Sequence, residues 1–190
     1  MIIGMGIGVS DKGYAEVDKI IVYDSFDRAN SNKLGISDTG QTWQELSGSW
    51  GIIDNQAYLP SGGSNSRAAI ESNVSDGQIS VEQTTTAPGS RILFRLTDIT
   101  NHFSFQSESN HFRLYRFDSS GTNLLGSNNT VIPKNNDVLK VILKDNSIKC
   151  YVNNELIFSV TDNFNKAATR HGLMANGTTA RFDNFKVEAV

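Results

Sequence analysis

From residue 20 to the C-terminus, apolar and polar side chains alternate in short runs closed by Gly, Asn, Asp or Ser. Such runs occupy residues 20–26, 50–59, 67–72, 78–86, 91–97, 102–107, 112–118 and 123–125. Residues 138–161 hold three more, and 172–175 and 180–187 close the chain. A period of two is the signature of strands with one buried face. Asp54-Asn55, Asp145-Asn146 and Asn153-Asn154 interrupt the runs where tight turns are expected. Only residues 162–169 could hold a helical turn, with Asp162 as its cap. The spacing predicts an all-β sandwich or barrel.

The alternation also assigns faces. In 91–96 it sets Ile92, Phe94 and Leu96 against Arg91, Leu93 and Arg95. In 102–106 it sets Phe103 and Phe105 against His102, Ser104 and Gln106. In 111–117, Phe112 and Leu114 oppose His111, Arg113, Tyr115 and Phe117. If the three strands are neighbours, one sheet face carries Arg95, His102, Gln106, Arg113 and Tyr115 together, and this is the candidate ligand-binding stripe. Residues 91–116 hold four arginines against Asp98 and Glu108, a local charge of +2 in a chain of net charge −3. That bias suits an anionic polymer.

Composition narrows the class. The 190 residues suffice for one domain with a substantial core. Charged residues are 19% and hydrophobic residues 38%, and 19 Asn, 21 Ser and 16 Gly fill the difference, which favours turns and strands over helices. The net charge gives no global case for nucleic acid, and no apolar run is long enough for a membrane helix. Cys150 is the only cysteine, so no disulfide forms within the chain, and its strand setting makes it a small core residue.

The N-terminus reads differently. Residues 1–9 are apolar and glycine-rich without the features of a secretory signal, and polar residues 10–18 form a linker. Residues 1–19 are expected to be an arm and linker ahead of a domain at 20–190. Nine such residues cannot fold alone, so Ile2, Ile3, Ile7 and Val9 would dock on the sandwich or on a neighbouring subunit.

The run DSFDRANSNKLG at 24–35, followed by GQTWQELSGSWGIIDNQAYLP at 40–60, resembles the opening of a concanavalin A-like lectin/glucanase (laminin-G-like) jelly-roll domain. VLKVILKDNSIKCYVNNELIFSVTD is similar to its paired strands, and HGLMANGTTARFDNFKVEAV to its closing ones. The resemblance implies a two-sheet antiparallel sandwich with first and last strands adjacent and Trp43 and Trp50 at least partly buried. It also implies a range of roles: lectins, carbohydrate-binding modules, glycanases, and phage or bacterial surface proteins. Some such domains hold a structural calcium where first and last strands meet, and Asp24, Gly51 and Asp183 stand at the matching positions.

Catalysis is not expected. Glycanases of this kind carry a Glu-x-Asp-x-x-Glu run that supplies paired carboxylates. Glu45, Glu71, Glu82, Glu108 and Glu155 each lack an acidic residue at i+2, and the nearest spacing, Glu16 with Asp18, lies in the linker. His102, His111 and His171 show no metal-ligand spacing. The expected function is a non-catalytic structural or adhesion protein of a phage particle, located in the virion and binding other copies of itself and other virion proteins. One sheet face would bind cell-surface glycans. A stand-alone carbohydrate-binding module is the alternative, and a glycoside hydrolase the least supported reading.

Overall fold

The computed structural model describes residues 19–189, and the N-terminal arm lies outside them. The strands are β1 Lys19–Asp24, β2 Gln44–Ser47, β3 Gly51–Ile53, β4 Gln56–Tyr58, β5 Ser66–Glu71, β6 Gly77–Thr85, β7 Ser90–Asp98 and β8 Asn101–Ser107. They continue as β9 Phe112–Asp118, β10 Gly121–Asn128, β11 Asp137–Lys144, β12 Ser147–Val152, β13 Glu155–Thr161, β14 Arg170–Ala175 and β15 Arg181–Ala189. There is no helix among the described residues. Residues 162–169 make turns instead, although the Asp162 carboxylate does accept the Phe164 amide at 2.8 Å, as a cap would.

The strands form two antiparallel sheets. One has eight strands in the order β13-β12-β11-β6-β15-β4-β3, with β1 also on β15; the other has seven, β10-β9-β8-β7-β14-β5-β2. Crossovers between sheets make this a jelly-roll sandwich. The turns expected at Asp54-Asn55 and Asn153-Asn154 form, with all four residues at positive φ, between 49° and 70°. This left-handed pair matches the strand twist of a tight hairpin. Strand β2 escaped the pattern, because its QELS sequence carries only one apolar residue.

The core lies between the sheets. Ile92, Phe94, Phe103, Phe105, Phe112 and Leu114 of one sheet meet Ile79, Val81, Leu139, Val141, Cys150 and Phe158 of the other. Phe105 and Phe158 join the layers edge to face at 6.0 Å. Cys150 is fully enclosed, and burial pushes its thiol up, far from any nucleophilic role.

First and last strands pair, with Asp24 opposite Phe185. Trp43 and Trp50 are both buried. Around Asp24 the opening segment is clamped: its carboxylate accepts from Arg28 Nη1 at 2.6 Å and Nη2 at 3.0 Å, from Trp43 Nε1 at 2.7 Å, and from the Phe26 amide at 2.9 Å. The Trp43 ring then packs on Phe26 and, edge on at 5.0 Å, on Phe185. Removing the carboxylate strands a guanidinium and an indole N–H. Asp24→Ala is therefore expected to lower unfolding free energy by about 3–5 kcal/mol. Trp43→Phe, which loses one hydrogen bond and some packing area, is expected to cost less. Urea denaturation of the two variants checks this ranking, and an unchanged midpoint for Asp24→Ala contradicts it.

Candidate functional site

The outer face of the seven-stranded sheet is built by the alternation that fills the core. On β8 the inward Phe103 and Phe105 leave His102, Ser104 and Gln106 outward, and on β9 Phe112 and Leu114 leave Arg113, Tyr115 and Phe117 outward. Register then sets rows across the strands. Arg113 pairs with Gln106, Gln106 with Arg91, Arg91 with Met174, and Met174 with Arg67. In the next row Tyr115 pairs with Ser104, Ser104 with Leu93, Leu93 with Gly172, and Gly172 with Ala69.

The first row is long and cationic; the second is low. Gly172 cannot be larger, since a Cβ there would lie 2.1 Å from the Ala68 carbonyl oxygen and 2.7 Å from the Ala69 Cα. Ala69, Leu93, Leu96 and Met174, with Leu46 against them, form a small second apolar cluster on this face. A third row begins with Phe117 stacked on His102, ring centroids 4.5 Å apart.

A depression of about 280 Å³ opens over these rows, lined by Asn65, Arg91, Gln106, Glu108, Tyr115, Phe117 and Thr122. Arg91 Nη1 donates to Asn65 Oδ1 at 2.9 Å and lies 2.9 Å from the Met174 sulfur. Arg67 Nη1 donates to the Asn65 carbonyl at 2.7 Å, Arg113 Nη1 to the Tyr115 hydroxyl at 3.0 Å, and Gln106 Nε2 to Glu108. Several buried polar atoms here have no hydrogen-bond partner among the described residues: Nε of Arg67, Arg91 and Arg113, both ring nitrogens of His102, the Ser104 hydroxyl and Gln106 Oε1. Native structures leave few such atoms unpaired.

Burial pushes the Arg91 guanidinium down to about 10, and Arg67 beside it adds to the effect against the pull of Glu108 and Tyr115. Burial, reinforced by Arg67 and Arg91, likewise pushes His102 down to about 4, so its imidazole is neutral at pH 7.

Four of the five expected stripe residues share this face: His102, Gln106, Arg113 and Tyr115. Arg95 does not. It has a positive φ of 48°, and the β7–β8 register shifts between Phe94 and Asp98. A bulge at this point reverses the alternation that follows it. Leu96, expected on the core side, therefore joins the outer cluster. The buried Arg95 side chain instead ties loops at one end of the sandwich, donating from Nη2 to the Asp145 carbonyl at 2.5 Å and to Asp76 at 3.3 Å. Arg116, which alternates to the other side of β9 from Arg113 and Tyr115, is held by Asp118 at 2.7 Å and Asp162 at 2.9 Å. Arg67, unforeseen, takes the place of Arg95 on this face. Its own strand alternates Arg67, Ala69 and Glu71 outward, but only the interposed β14 brings it next to Arg91.

At the positions matched to a calcium site, Asp183 would supply its carboxylate, and Asp24 and Gly51 their backbone carbonyls. Both Asp24 oxygens are committed to protein donors. Asp183 is pushed up by burial and by the nearby Glu82, Asp27 and Asp24 carboxylates. Among the described residues no three His, Cys, Asp or Glu side chains form a metal-ligating group. A second depression, about 460 Å³, lies beside Lys134, Asp137 and Glu155. Its Asp137 carboxylate is already bonded by the Lys134 amide at 2.7 Å and Asn153 Nδ2 at 2.8 Å.

No family model matches the chain, and no curated protein matches its sequence. Solved structures do. A carbohydrate-binding module, CBM66 from Bacillus subtilis, superposes with a TM-score of 0.62 at 19% identity, covering 77% of this chain and 95% of that one. A Bacillus licheniformis β-glucanase gives 0.60 at 13% identity over 90% and 98% of the two chains. The laminarinase catalytic domain from Thermotoga maritima gives 0.60 at 8% identity over 92% and 99%. The fold is thus the concanavalin A-like jelly-roll sandwich, the architecture shared by these carbohydrate-binding and glucanase domains.

Two buried histidines give this fold an acid limit. His171 accepts the Arg95 amide at Nδ1, donates from Nε2 to the Val74 carbonyl at 2.9 Å, and is pushed down to about 4 by burial, as His102 is. Unfolded, each titrates near 6.5. Between pH 6.5 and 4 the unfolded chain binds the extra protons, so stability falls as pH falls through that window. The slope is about 1.4 kcal/mol per pH unit for each histidine. His171→Gln is expected to flatten the fall by one proton's share in urea titrations at stepped pH, and an unchanged slope counts against it.

Proposed function

We propose that this protein is a non-catalytic glycan-binding domain whose ligand surface is the outer face of the seven-stranded sheet. The observation that carries this reading is the set of unpartnered polar atoms on this face, most of them in the Arg113–Gln106–Arg91–Arg67 row beside the low Ser104–Gly172–Ala69 row. Sugar rings present hydroxyls that both donate and accept, and faces that pack on aromatic and small apolar side chains. Gln106, Arg91, Arg113 and Asn65 supply the polar partners, and Tyr115 with Phe117 the aromatic ones. The likeness to a carbohydrate-binding module supports the same reading at the level of fold.

The non-catalytic part rests on what the face presents. Glycoside hydrolysis uses two carboxylates about 5–5.5 Å apart, or about 6.5–9.5 Å when it inverts. The outward positions of β8 are His102, Ser104 and Gln106, and those of β9 are Arg113, Tyr115 and Phe117. Glu108, at the edge of the depression, is bonded to Gln106. A calcium contribution would fall to Asp183 with backbone carbonyls, and a melting temperature unmoved by EDTA removes it. The expectation of a virion assembly draws on residues 1–18, on the Asn, Ser and Gly content and on the lack of a catalytic set, and it forms no part of this reading.

Titration of the purified protein with glycan fragments, followed by backbone amide shifts, tests the surface. Shifts are expected to cluster on residues 91, 104–108 and 113–117, and Tyr115→Ala is expected to weaken binding about tenfold. Arg95→Gln separates the two arginine environments: it should lower stability by about 3 kcal/mol while leaving affinity within twofold. Shifts confined to the eight-stranded sheet overturn the assignment. Release of reducing ends from any glycan, lost on Glu108→Gln, overturns the non-catalytic reading.

A further inference from the structure

The charge on this face is unbalanced. Arg67, Arg91 and Arg113 stand in one row with a single carboxylate, Glu108, at its edge, which leaves an excess of two positive charges (three minus one). Of the other surface arginines, Arg181 donates to the Thr178 and Ala180 carbonyls and lies over the Tyr58 ring, and three face carboxylates. Arg116 has Asp118 and Asp162, Arg28 has Asp24, and Arg170 is opposite Glu71 in the sheet. Arg91 is 7% exposed, and its Nε, like those of Arg67 and Arg113, has no acceptor among the described residues. Burying guanidinium groups without countercharge is unfavourable, and an anion placed among them removes the imbalance.

Geometry adds periodicity. Arg113, Arg91 and Arg67 are each separated by one intervening strand, Gln106 on β8 and Met174 on β14. Two strand spacings put successive guanidinium-bearing positions about 10 Å apart. A polymer lying across the strands would meet a guanidinium fork at each such step. Guanidinium forks match the planar oxygens of carboxylates and the oxygens of sulfate esters, by bidentate charge-assisted hydrogen bonds.

Resting on the glycan-binding reading above, we propose that the row Arg113–Gln106–Arg91–Arg67 is an anion subsite that selects glycans bearing carboxylate or sulfate groups over neutral ones. Nucleic acid offers the same charge but needs a broader positive surface than a chain of net −3 provides.

The test is calorimetric titration of the full chain with an oligogalacturonate, a sulfated dextran oligomer, a neutral laminarin oligomer and a short DNA duplex. Binding of either acidic glycan at least tenfold tighter than laminarin is expected, and the tighter of the two assigns carboxylate or sulfate. Arg91→Gln is expected to abolish that preference. The double variant Arg67→Gln/Arg113→Gln, at partly buried positions outside the hydrophobic core, should cut it at least tenfold while keeping the melting temperature. Equal binding of acidic and neutral glycans overturns the subsite but keeps the glycan-binding face. An acidic preference untouched by the variants also overturns it. DNA binding as tight as the acidic glycans overturns its assignment to a glycan, and no binding to any glycan overturns the glycan-binding reading itself.

Discussion

The Asp24 carboxylate has no contact with water and accepts four hydrogen bonds, two of them from one guanidinium. A buried charge is tolerated only when its countercharge and its lone pairs are satisfied together. Here that demand fixes three separate stretches of chain. Arg28 must turn back toward β1 and in doing so also donates to the Leu34 carbonyl at 2.6 Å. Trp43 must aim its indole N–H at β1, which lays its ring on Phe26 and Phe185. The opening loop is thereby pinned over the closing strand, and the eight-stranded sheet gains a paired edge at the point where the chain enters it. The Asp24 carboxylate is fully used in this closure.

The opposite sheet follows a different constraint. Its inner face is committed to phenylalanines that must reach the other layer, so its outer face receives whatever alternates with them. Up to Phe94 that rule holds on β7. At Arg95 a left-handed residue breaks it, and Arg95 passes from the outer face to the end of the sandwich, where Asp76 and the Asp145 carbonyl receive it. The bulge thus removes one cation from the outer face and substitutes Leu96, which completes the apolar cluster under the low row. The outer face is sharper for it, with cations in one row and small or apolar side chains in the next.

Much of the fold was legible because β structure writes itself locally. The period of two, the Asp-Asn and Asn-Asn turns and the paired opening and closing motifs are read from residues near one another in sequence. The stripe on β8 and β9 was legible for the same reason, since hairpin neighbours bring His102, Gln106, Arg113 and Tyr115 together. Arg67 was not, because β5 joins this face only through β14, and no local pattern reports that 100-residue excursion. Arg95 misled for the converse reason. Positive φ at a long side chain leaves no mark in the sequence, so strict alternation placed it on the wrong side.

A sandwich fold of this kind leaves its outer sheet face chemically open, because neither closure nor core packing dictates which side chains alternate outward. Solved structures with this architecture include both a carbohydrate-binding module and glucanases, at identities of 19% and below for those compared, so the fold alone does not choose a ligand. What chooses is the side-chain set. Three arginines held in register across five strands, beside a histidine kept neutral by burial and by Arg67 and Arg91, face a single carboxylate, Glu108. Packing does not require such a row: leucine or threonine would cover the same sheet without burying guanidinium groups. Under the proposed anion subsite, an anion in the row offsets the stability that the row sacrifices in the free protein.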